Sequence, residues 1–473
     1  MSPENAKNIL CLVTSILVLA LLILHIARYR KKPKWLRMFY VWIGVLAVLG
    51  GAWAFLFPLA ITADFGKDGD GAALRQMLIY TTGGVLGVIT LGENHRKNSL
   101  EKAKNDQDHD RQVHAERRSR YTTAVEQLSS DKASIRLGGV YTLVGLVDEW
   151  LSDEKTTSSP EERHKEGQVI INNLCAYIRS PLPLAERAEQ LDKDYAKDLQ
   201  NDFDGDIEKF DADKRAFARD KAALEEERQV RQSIIEEIHK RLQYIGTLGS
   251  WSKLDYDFSN AHFFYPIVFI NSCFDASSIF FGATFTQDAD FSETTFTEGA
   301  PFSGATFLQD ANFSRAAFTR DAHFFGAKFT GYADFSWAEF TGYADFSMAE
   351  FTGNANFSKA KFTETHFSKA KFTGDANFSM AKFTEDTDFS EVEFTGDANF
   401  SGGTFEEKPI FERALGNKTY KARFSCKADP KGYNFEVSHN SPYKIETKEQ
   451  EHNGIKFVIP EDAELFDPDE PSE

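Results

Sequence analysis

Two stretches rich in aspartate and glycine have the residue types, but not the spacing, of calcium-binding loops. An EF-hand loop needs oxygen ligands at fixed positions, a glycine at position six and a bidentate glutamate at position twelve. In Asp202–Asp206 the glycine comes two positions too early. Around Asp68–Gly71, Gly66 stands where the first ligand is needed and Met77 where the glutamate is needed. We therefore interpret both stretches as turns.

The chain also lacks the motifs of common enzyme classes. It has no Walker loop, no HExxH motif and no dinucleotide-binding fingerprint. His109 and His114 are five residues apart, whereas two side chains on one helix face are best placed four apart. The cysteines are widely separated and are interpreted as reduced residues: Cys11, Cys175, Cys273 and Cys426. We expect no catalytic, cofactor-binding or metal-binding residues, and no enzymatic activity.

Phenylalanine is the residue whose spacing organises the chain. Between positions 258 and 411 it recurs after five residues, then six, then five again, so the repeating unit has 11 residues. A small residue stands two positions before nearly every phenylalanine. A short fixed period of this kind is typical of a repeat architecture. The residues predicted to form its structural core include Phe313, Phe318, Phe324, Phe329, Phe335, Phe340, Phe346, Phe351, Phe357 and Phe362, with Ala311, Ala322, Ala333 and Ala344.

The alternation of side chains along an extended segment explains this period. A residue and the one two positions before it point to the same face. Each half-unit therefore puts one large and one small apolar group inside and leaves a polar surface outside. A half-unit makes one short side and one corner, so four sides, or two units, close one coil. With coils about 4.8 Å apart, positions 258–411 predict about seven coils, roughly 33 Å tall.

Two details of the repeat lead to further expectations. Between Phe362 and Phe367 the spacing is five where six is expected. Half-units in which serine follows the phenylalanine still alternate afterwards with half-units in which threonine follows it. This predicts a defect of one corner near residues 364–366 and not a break in the stack. Glycine often occupies the sixth position of alternate sides, where we expect it to supply the positive φ of a tight corner. These glycines are Gly331, Gly342, Gly353, Gly374 and Gly396.

The motif A-[DN]-F resembles the pentapeptide-repeat family, in its phenylalanine-centred subtype with alternating spacings of five and six. The resemblance implies a right-handed quadrilateral β-helix in which the central residue and the one two before it face inward. The longer mean period and the phenylalanine in place of leucine imply a wider cross-section than that of the plain five-residue form. Other segments are similar to bacterial membrane-anchored pentapeptide-repeat proteins: Arg120–Ser130, Ile135–Tyr141, Leu174–Arg179 and Arg228–Arg231.

The N-terminal region has the pattern of transmembrane helices. Residues 9–27 and 39–61 are uncharged and long enough, as helices, to cross a hydrocarbon core of about 30 Å. A weaker apolar run covers residues 73–91. The positive-inside rule then requires three spans, an N-terminus outside and a cytoplasmic repeat; with two spans the basic stretches would fall on opposite sides. The topology-determining cations of the first loop are Arg28, Arg30, Lys31, Lys32, Lys34 and Arg37.

The predicted fold class is mixed, with transmembrane helices and a helical module before the β-helix. We expect the charged residues 183–250 to form a helical hairpin or coiled-coil linker, and the tail from Pro460 to be disordered. The predicted parts are the transmembrane region (1–92), the cytoplasmic helical module (93–182), the linker (183–250), the pentapeptide-repeat β-helix (251–415) and the C-terminal cap with an acidic tail (416–473).

Charge constrains the partners of the protein. The net charge is −18, and residues 253–415 carry 24 Asp and Glu against 11 Lys and Arg. Such a body repels nucleic-acid phosphates, so we expect no direct nucleic-acid binding. The first hypothesis is a non-enzymatic scaffold at the cytoplasmic face of a bacterial cell membrane, with an unknown protein partner on its flat faces. The polar columns expected there are Asp334, Asp345 and Asn356 on one side, and Glu339, Glu350 and Lys361 on another.

Two alternatives stay open. The first is an oligomeric membrane effector, such as a pore or a stress- or phage-defence protein with a sensing solenoid. Glycines in the predicted spans, among them Gly50 and Gly84, would permit close helix packing in such an oligomer. The second follows from the resemblance, since some pentapeptide-repeat proteins bind a DNA topoisomerase as acidic helices that resemble duplex DNA. The membrane tether and interspersed lysines such as Lys359 argue against it.

Overall fold

The computed structural model describes residues 70–157, 159–195, 206–243 and 251–470, and also residues 6, 9–10, 12–18, 20, 44–45 and 47–53. The chain divides into two compact units, Met1–Gln112 and Val113–Glu473. The first two predicted spans lie largely outside the described residues, as do residues 202–205. The same holds for all of the predicted topology-determining cations: Arg28, Arg30, Lys31, Lys32, Lys34 and Arg37.

The described part of the first unit is helical. Residues 12–18 and 47–53 are helical, and helix α1 (Asp70–Leu128) begins in this unit. Among the described residues, none of the helices is both long and apolar enough to cross a membrane. Residues 73–91 lie within α1, so the third predicted span is not supported.

One helix of the second unit begins at a clear local signal in the sequence. Ser159 accepts a hydrogen bond from the Glu162 amide at 3.3 Å, and a proline follows it at the first helical position. The helix that follows therefore begins at Pro160. After α1 come α2 (Ala133–Ser152), α3 (Pro160–Arg179), a 3₁₀ turn (Pro183–Arg187), α4 (Ala188–Asp192) and α5 (Ile207–Leu242).

Helix α5 belongs to the folded core. Its C-terminal half buries Val230, Ile234, Ile235, Ile238 and Leu242. It packs against α2, α3 and the beginning of the β-structure. This departs from the linker expected over residues 183–250. The apolar stripe of α5 is visible in the sequence, but the surfaces that cover it come from distant segments.

Short parallel strands stack into four faces, which we name A to D in the order in which the chain visits them from β2 onwards. Face A consists of β2 (His262–Phe263), β6 (Thr284–Phe285), β10 (Thr306–Phe307), β14 (Lys328–Phe329), β17 (Glu350–Phe351), β20 (Lys371–Phe372), β24 (Glu393–Phe394), β29 (Arg423–Ser425) and β33 (Glu464–Phe466). Face B consists of β3 (Ile267–Val268), β7 (Ala289–Asp290), β11 (Ala311–Asn312), β15 (Ala333–Asp334), β18 (Ala355–Asn356), β21 (Ala376–Asn377), β25 (Ala398–Asn399) and β30 (Tyr433–Asn434).

The other two faces share strands at one corner. Face C consists of β4 (Cys273–Phe274), β8 (Thr295–Phe296), β12 (Ala317–Phe318), the first halves of β16 (Glu339–Asp345) and β19 (Lys361–His366), β22 (Lys382–Phe383) and β26 (Thr404–Phe405). Face D consists of β1 (Tyr256–Asp257), β5 (Ser278–Ile279), β9 (Ala300–Pro301), β13 (Ala322–His323), the second halves of β16 and β19, and β23 (Thr387–Asp388).

The stacking confirms the predicted β-solenoid of about seven turns. Partners in neighbouring coils, such as Thr284 and Thr306, are two repeat units apart in the chain. Backbone amides of one coil donate to carbonyls of the next; the Phe313 amide, for example, donates to the Asp334 carbonyl at 2.6 Å. Each coil thus satisfies its backbone hydrogen bonds through its neighbours, because strands of two residues have no internal partners.

Phenylalanine rings fill the interior in four columns, one beside each face. Neighbouring rings within a column are stacked, with centroids 4.5 Å apart for Phe285 and Phe307 and 5.7 Å apart for Phe269 and Phe291. Rings of the columns beside faces B and D meet edge to face across the interior, as Phe335 and Phe346 do, an arrangement that aromatic quadrupoles favour. Exposure is 2% or less for Phe313, Phe318, Phe324, Phe329, Phe335, Phe340, Phe346, Phe351, Phe357, Phe362, Ala311, Ala322, Ala333 and Ala344.

The role predicted for the corner glycines is wrong. The positive φ falls two residues after the phenylalanines of faces B and D, on residues such as Trp337 (φ 61°) and Lys359 (φ 60°). Gly353 has no such φ, but a Cβ there would lie 2.2 Å from the carbonyl oxygen of Gly331 in the preceding coil. At Gly353 the constraint is therefore the close approach of two backbones and not a positive φ.

The expected corner defect lies where the spacing predicts it. Strands β16 and β19 pair Phe340 with Phe362 and then Tyr343 with Glu364, so the register shifts by one residue between the two pairs. Stacking continues beyond the defect, since β19 pairs in register with β22 and β23. The shorter coil thus loses one corner residue and keeps all four sides.

The C-terminal segment closes the far end of the solenoid. Its hairpins are β27 (Glu412–Leu415) with β28 (Lys418–Lys421), and β31 (Thr447–His452) with β32 (Ile455–Pro460). Strands β29, β30 and β33 extend faces A and B. Because β33 pairs with β29, residues 464–466 are part of a sheet, in contrast to the disorder expected after Pro460.

Phe346 tests the contribution of a single ring in mid-column. It is fully buried and stacks on Phe324 at 4.8 Å and on Phe367 at 5.0 Å. We expect Phe346→Ala to lower the free energy of unfolding by about 3–5 kcal/mol, because it leaves a cavity in a rigid stack. Met348→Ala, whose side chain is exposed, is the control. Urea denaturation curves that coincide for both variants would contradict this packing.

Gly353 tests the close approach of the corners. We expect Gly353→Ala to destabilise the solenoid by roughly 1–3 kcal/mol, because the new methyl group overlaps a backbone oxygen that cannot turn away. Gly304→Asn is the matched control: its φ is +67°, but open space surrounds the added Cβ. Since asparagine tolerates this conformation, its cost should stay below about 1 kcal/mol. Equal melting temperatures for the two variants would show that close backbone approach is not what selects glycine at position 353.

Candidate interaction surface

A glutamine side chain completes the first edge of the solenoid. The Gln168 Nε2 donates to the Asp255 carbonyl at 2.8 Å, and the Asp255 amide donates to Gln168 Oε1, also at 2.8 Å. The amide group of the side chain thus takes the place of a peptide group of a preceding coil. An open edge of this kind would otherwise be free to pair with another chain. Helix α3, which carries Gln168, therefore caps the solenoid.

A second contact joins the helices to the solenoid through a shared carboxylate. Arg241 of α5 donates from Nε and Nη2 to Asp148 of α2 at 3.0 and 2.8 Å. The same Asp148 accepts from the indole Nε1 of Trp251 at 2.8 Å, at the start of the solenoid. The Arg241 guanidinium also lies 5.0 Å from the centre of the Trp251 ring. These groups bind two helices and the first coil together.

The most deeply buried cation among the described residues belongs to the same helix, α5. Arg231 is 2% exposed and donates to the carbonyls of Ile178 at 2.7 Å and Ser180 at 2.9 Å. Its charge is balanced by Glu227 at 2.8 Å, and the guanidinium faces the ring of Phe264 in the first coil at 5.8 Å. A buried charge needs such a complete set of partners. The helical module and the solenoid thus form one packed structure.

The far end of the solenoid is covered as well. The Phe405 amide donates to the Ser441 hydroxyl at 2.9 Å, and that hydroxyl donates to the Tyr443 carbonyl at 2.6 Å. The Tyr443 amide donates to the Phe405 carbonyl at 3.2 Å. On face B, the Phe400 amide donates to the Asn434 carbonyl at 2.7 Å. Both ends of the solenoid are therefore in contact with other parts of the same chain. Its four sides remain as the candidate surface for a partner.

The polar columns are distributed differently from the prediction. Asp334 and Asn356 share face B, but Asp345 is on face D. Glu339 and Lys361 share face C, whereas Glu350 is on face A. Residues one repeat unit apart lie on opposite sides, because the unit is half a coil. A column on one face therefore repeats only at every second unit.

Face A carries charges of alternating sign. Lys328 forms an ion pair with Glu350 at 3.4 Å, and Lys371 forms one with Glu393 at 3.7 Å. Arg423 then contacts Glu393 at 2.8 Å. Opposite charges on neighbouring strands attract one another and offset the acidity of this face.

Much of face B is occupied by local structure. The Asn312 side chain accepts from the Ser314 amide at 3.0 Å, and Asp334 accepts from the Ser336 amide at 2.9 Å. Asn356 also donates to Asp334 at 3.1 Å. The D/N-F-S motif is thus the sequence of a turn, in which the carboxylate or amide oxygen fixes the following corner.

Comparison with known families agrees with this geometry. The family model of pentapeptide repeats matches residues 280–328, 324–370, 357–404 and 367–414. Residues 280–414 are pentapeptide repeats. Neither a curated protein nor a solved structure matches it. The matched residues lie within the four-faced solenoid, so the repeat described by the family and the observed coils coincide.

Exposed apolar side chains lie along one edge of this pentapeptide-repeat solenoid, where face D turns into face A. Phe281, Phe325 and Met348 are 53%, 46% and 49% exposed. Backbone bonds align their corners, since the Gly282 amide donates to Ser303 at 2.9 Å and the Gly304 amide to Phe325 at 2.8 Å. We call Phe281, Phe325 and Met348 the corner patch. Sequence reasoning missed it because the inward-facing phenylalanines dominate the pattern.

The histidine and the cysteines that sequence analysis considered for chemistry pack against other side chains. His114 contacts Thr157 at 3.1 Å and meets the Trp150 ring edge to face at 5.2 Å. Burial raises the pKa of the Cys175 thiol to about 12. Burial and the Asp275 carboxylate together raise the pKa of the Cys273 thiol to about 12. Both thiols are protonated at neutral pH and cannot act as thiolate nucleophiles.

A substitution of Arg231 tests how strongly the helices are held against the solenoid. We expect Arg231→Ala to lower the free energy of unfolding by about 3–5 kcal/mol, because it leaves two carbonyl groups buried without a donor and leaves Glu227 with a more distant cation, Arg136 at 3.4 Å. Arg228→Ala is the control; it removes ion pairs with Asp192 and Glu225 near the surface and should cost less than about 1 kcal/mol. Thermal unfolding followed by circular dichroism distinguishes the two. Similar shifts for both variants would contradict the role of Arg231.

Proposed function

We propose that this pentapeptide-repeat protein is a non-enzymatic scaffold that binds a protein partner along the corner patch. The observation that carries the proposal is the alignment of Phe281, Phe325 and Met348 on one edge of a solenoid whose two ends are covered. Aromatic residues and methionine are enriched at protein interfaces, and exposed apolar patches on rigid surfaces often mark them. A partner would therefore approach the solenoid from the side.

The charge pattern supports a protein partner more than mimicry of DNA. A DNA-like surface needs closely spaced negative charges that attract a nucleic-acid-binding protein. On face A the acidic residues Glu350 and Glu393 alternate with Lys328, Lys371 and Arg423 and pair with them. This face therefore offers no continuous negative column to a topoisomerase.

We also propose that the N-terminal region attaches the protein to a bacterial cell membrane. The proposal rests on the uncharged residues 9–27 and 39–61 and on the basic loop between them. Such an anchor would restrict where the partner is met. The positive-inside rule places this loop in the cytoplasm and the N-terminus outside. The solenoid would share the side of the loop only if residues 73–91 also crossed the membrane.

The test is crosslinking and affinity capture of the full chain from its own membranes. In the variant, each residue of the corner patch is replaced by the residue that another coil carries at the same place. Phe281→Ser and Phe325→Ser copy Ser303, and Met348→Lys copies Lys369. These changes should leave the fold intact because the solenoid already accommodates them. We expect the captured partner to be lost with this variant.

A second variant changes another edge in the same manner. Trp337→Lys and Met380→Lys copy Lys359, and both side chains are exposed at the corner that follows face B. Retention of the partner by this control, together with its loss from the corner-patch variant, supports the proposal. Capture that is unaffected by the corner-patch changes would overturn it. Self-association through the N-terminal region alone would favour the membrane effector, and recovery in the soluble fraction would contradict the anchor.

A further inference from the structure

Three side chains of metal-ligand type converge in the C-terminal cap. They are Cys426, His452 and Asp467, and one ligand atom from each lies within 4.8 Å of the other two. Each comes from a different segment: Cys426 directly follows β29, His452 ends β31, and Asp467 directly follows β33. Residues far apart in sequence are thus brought together by the closure of the cap.

The backbone around this cluster holds the three residues in place. The Cys426 amide donates to the Phe466 carbonyl at 2.9 Å, which fixes the distance between the strands that carry Cys426 and Asp467. His452 precedes the tight turn of its hairpin, where Asn453 and Gly454 have φ values of 50° and 77°. A site built on paired strands and a tight turn needs only side-chain rotations to close around an ion.

We propose that Cys426, His452 and Asp467 bind a zinc-class divalent cation. A thiolate, an imidazole and a carboxylate together suit zinc, whereas calcium and magnesium prefer oxygen ligands alone. Three protein ligands leave the fourth tetrahedral position to water or to another group. The cation would link β29, the β31–β32 hairpin and β33, and so fasten the last strand of face A.

A neighbouring lysine opposes the binding of a cation at this place. The Lys427 ammonium contacts Asp467 Oδ1 at 2.7 Å and also pairs with Asp469. The Asp469 amide donates to the same Asp467 Oδ1 at 3.0 Å. The second oxygen, Oδ2, has no hydrogen bond within the described part of the chain and is the atom left for a metal. Because like charges repel, Lys427 should weaken metal binding without abolishing it.

The experiment titrates the purified full chain with Co²⁺ and with Zn²⁺ in competition with a chromophoric chelator. We expect one equivalent of Co²⁺ to give a sulfur-to-cobalt charge-transfer band that Zn²⁺ displaces. Cys426→Ser should abolish the band. His452→Asn and Asp467→Asn should each weaken zinc binding by more than about 100-fold, since loss of a residue that only hydrogen-bonds to a metal ligand already costs about 10–100-fold in affinity. Lys427→Gln should tighten zinc binding.

Matched controls separate this site from adventitious binding. Cys273→Ser removes another thiol that lies beside a carboxylate, Asp275, and His439→Gln removes another histidine of the cap. Both should leave the cobalt band and the zinc affinity unchanged. The proposal is overturned if the wild-type chain gives no charge-transfer band. It is also overturned if the band persists in Cys426→Ser, if Cys273→Ser removes it, or if Lys427→Gln weakens binding.

Discussion

Hydrogen bonding between coils is the constraint on which the remaining structure depends. A strand of two residues cannot stabilise itself, so each coil needs the one before it and the one after it. The constant advance of two repeat units per coil follows from this requirement, since every amide must meet a carbonyl at the same place one coil further on. The same advance places phenylalanine over phenylalanine, charge over charge and corner over corner. Ring stacking and ion pairing are consequences of this alignment, and they reinforce it.

The interior of the solenoid could be predicted from the sequence because its rule is local. Side-chain alternation and the spacing of phenylalanine are enough to assign Phe313 or Ala311 to the inside and to locate the irregular corner between Phe362 and Phe367. The corner glycines are harder to interpret, since a positive φ and a close backbone approach both select glycine. Which of the two applies at Gly353 depends on the neighbouring coil, and that information is not contained in the repeat unit itself.

Contacts between distant segments could not be predicted, for a different reason. Nothing in the residues around Gln168 indicates that its amide will pair with Asp255, because the two are 87 positions apart. The corner patch was equally hidden, because Phe281 and Phe325 interrupt a column in which other coils carry serine. Each of these phenylalanines directly follows an inward-facing one, so a pattern of periodic phenylalanine conceals them. In this chain, the features that a partner could recognise are the positions that depart from the repeat.

The shortened coil shows how the solenoid accommodates a change in length. After the register shift between β16 and β19, β19 pairs with β22 and β23 as though no residue were missing. The alignment of the coils therefore depends on the number of sides and not on the number of residues. A deletion at a corner is corrected within one coil and is not transmitted to the coils beyond it. A gene that encodes such a protein can lose a codon at a corner, or gain a whole coil, while every later face keeps its order of side chains.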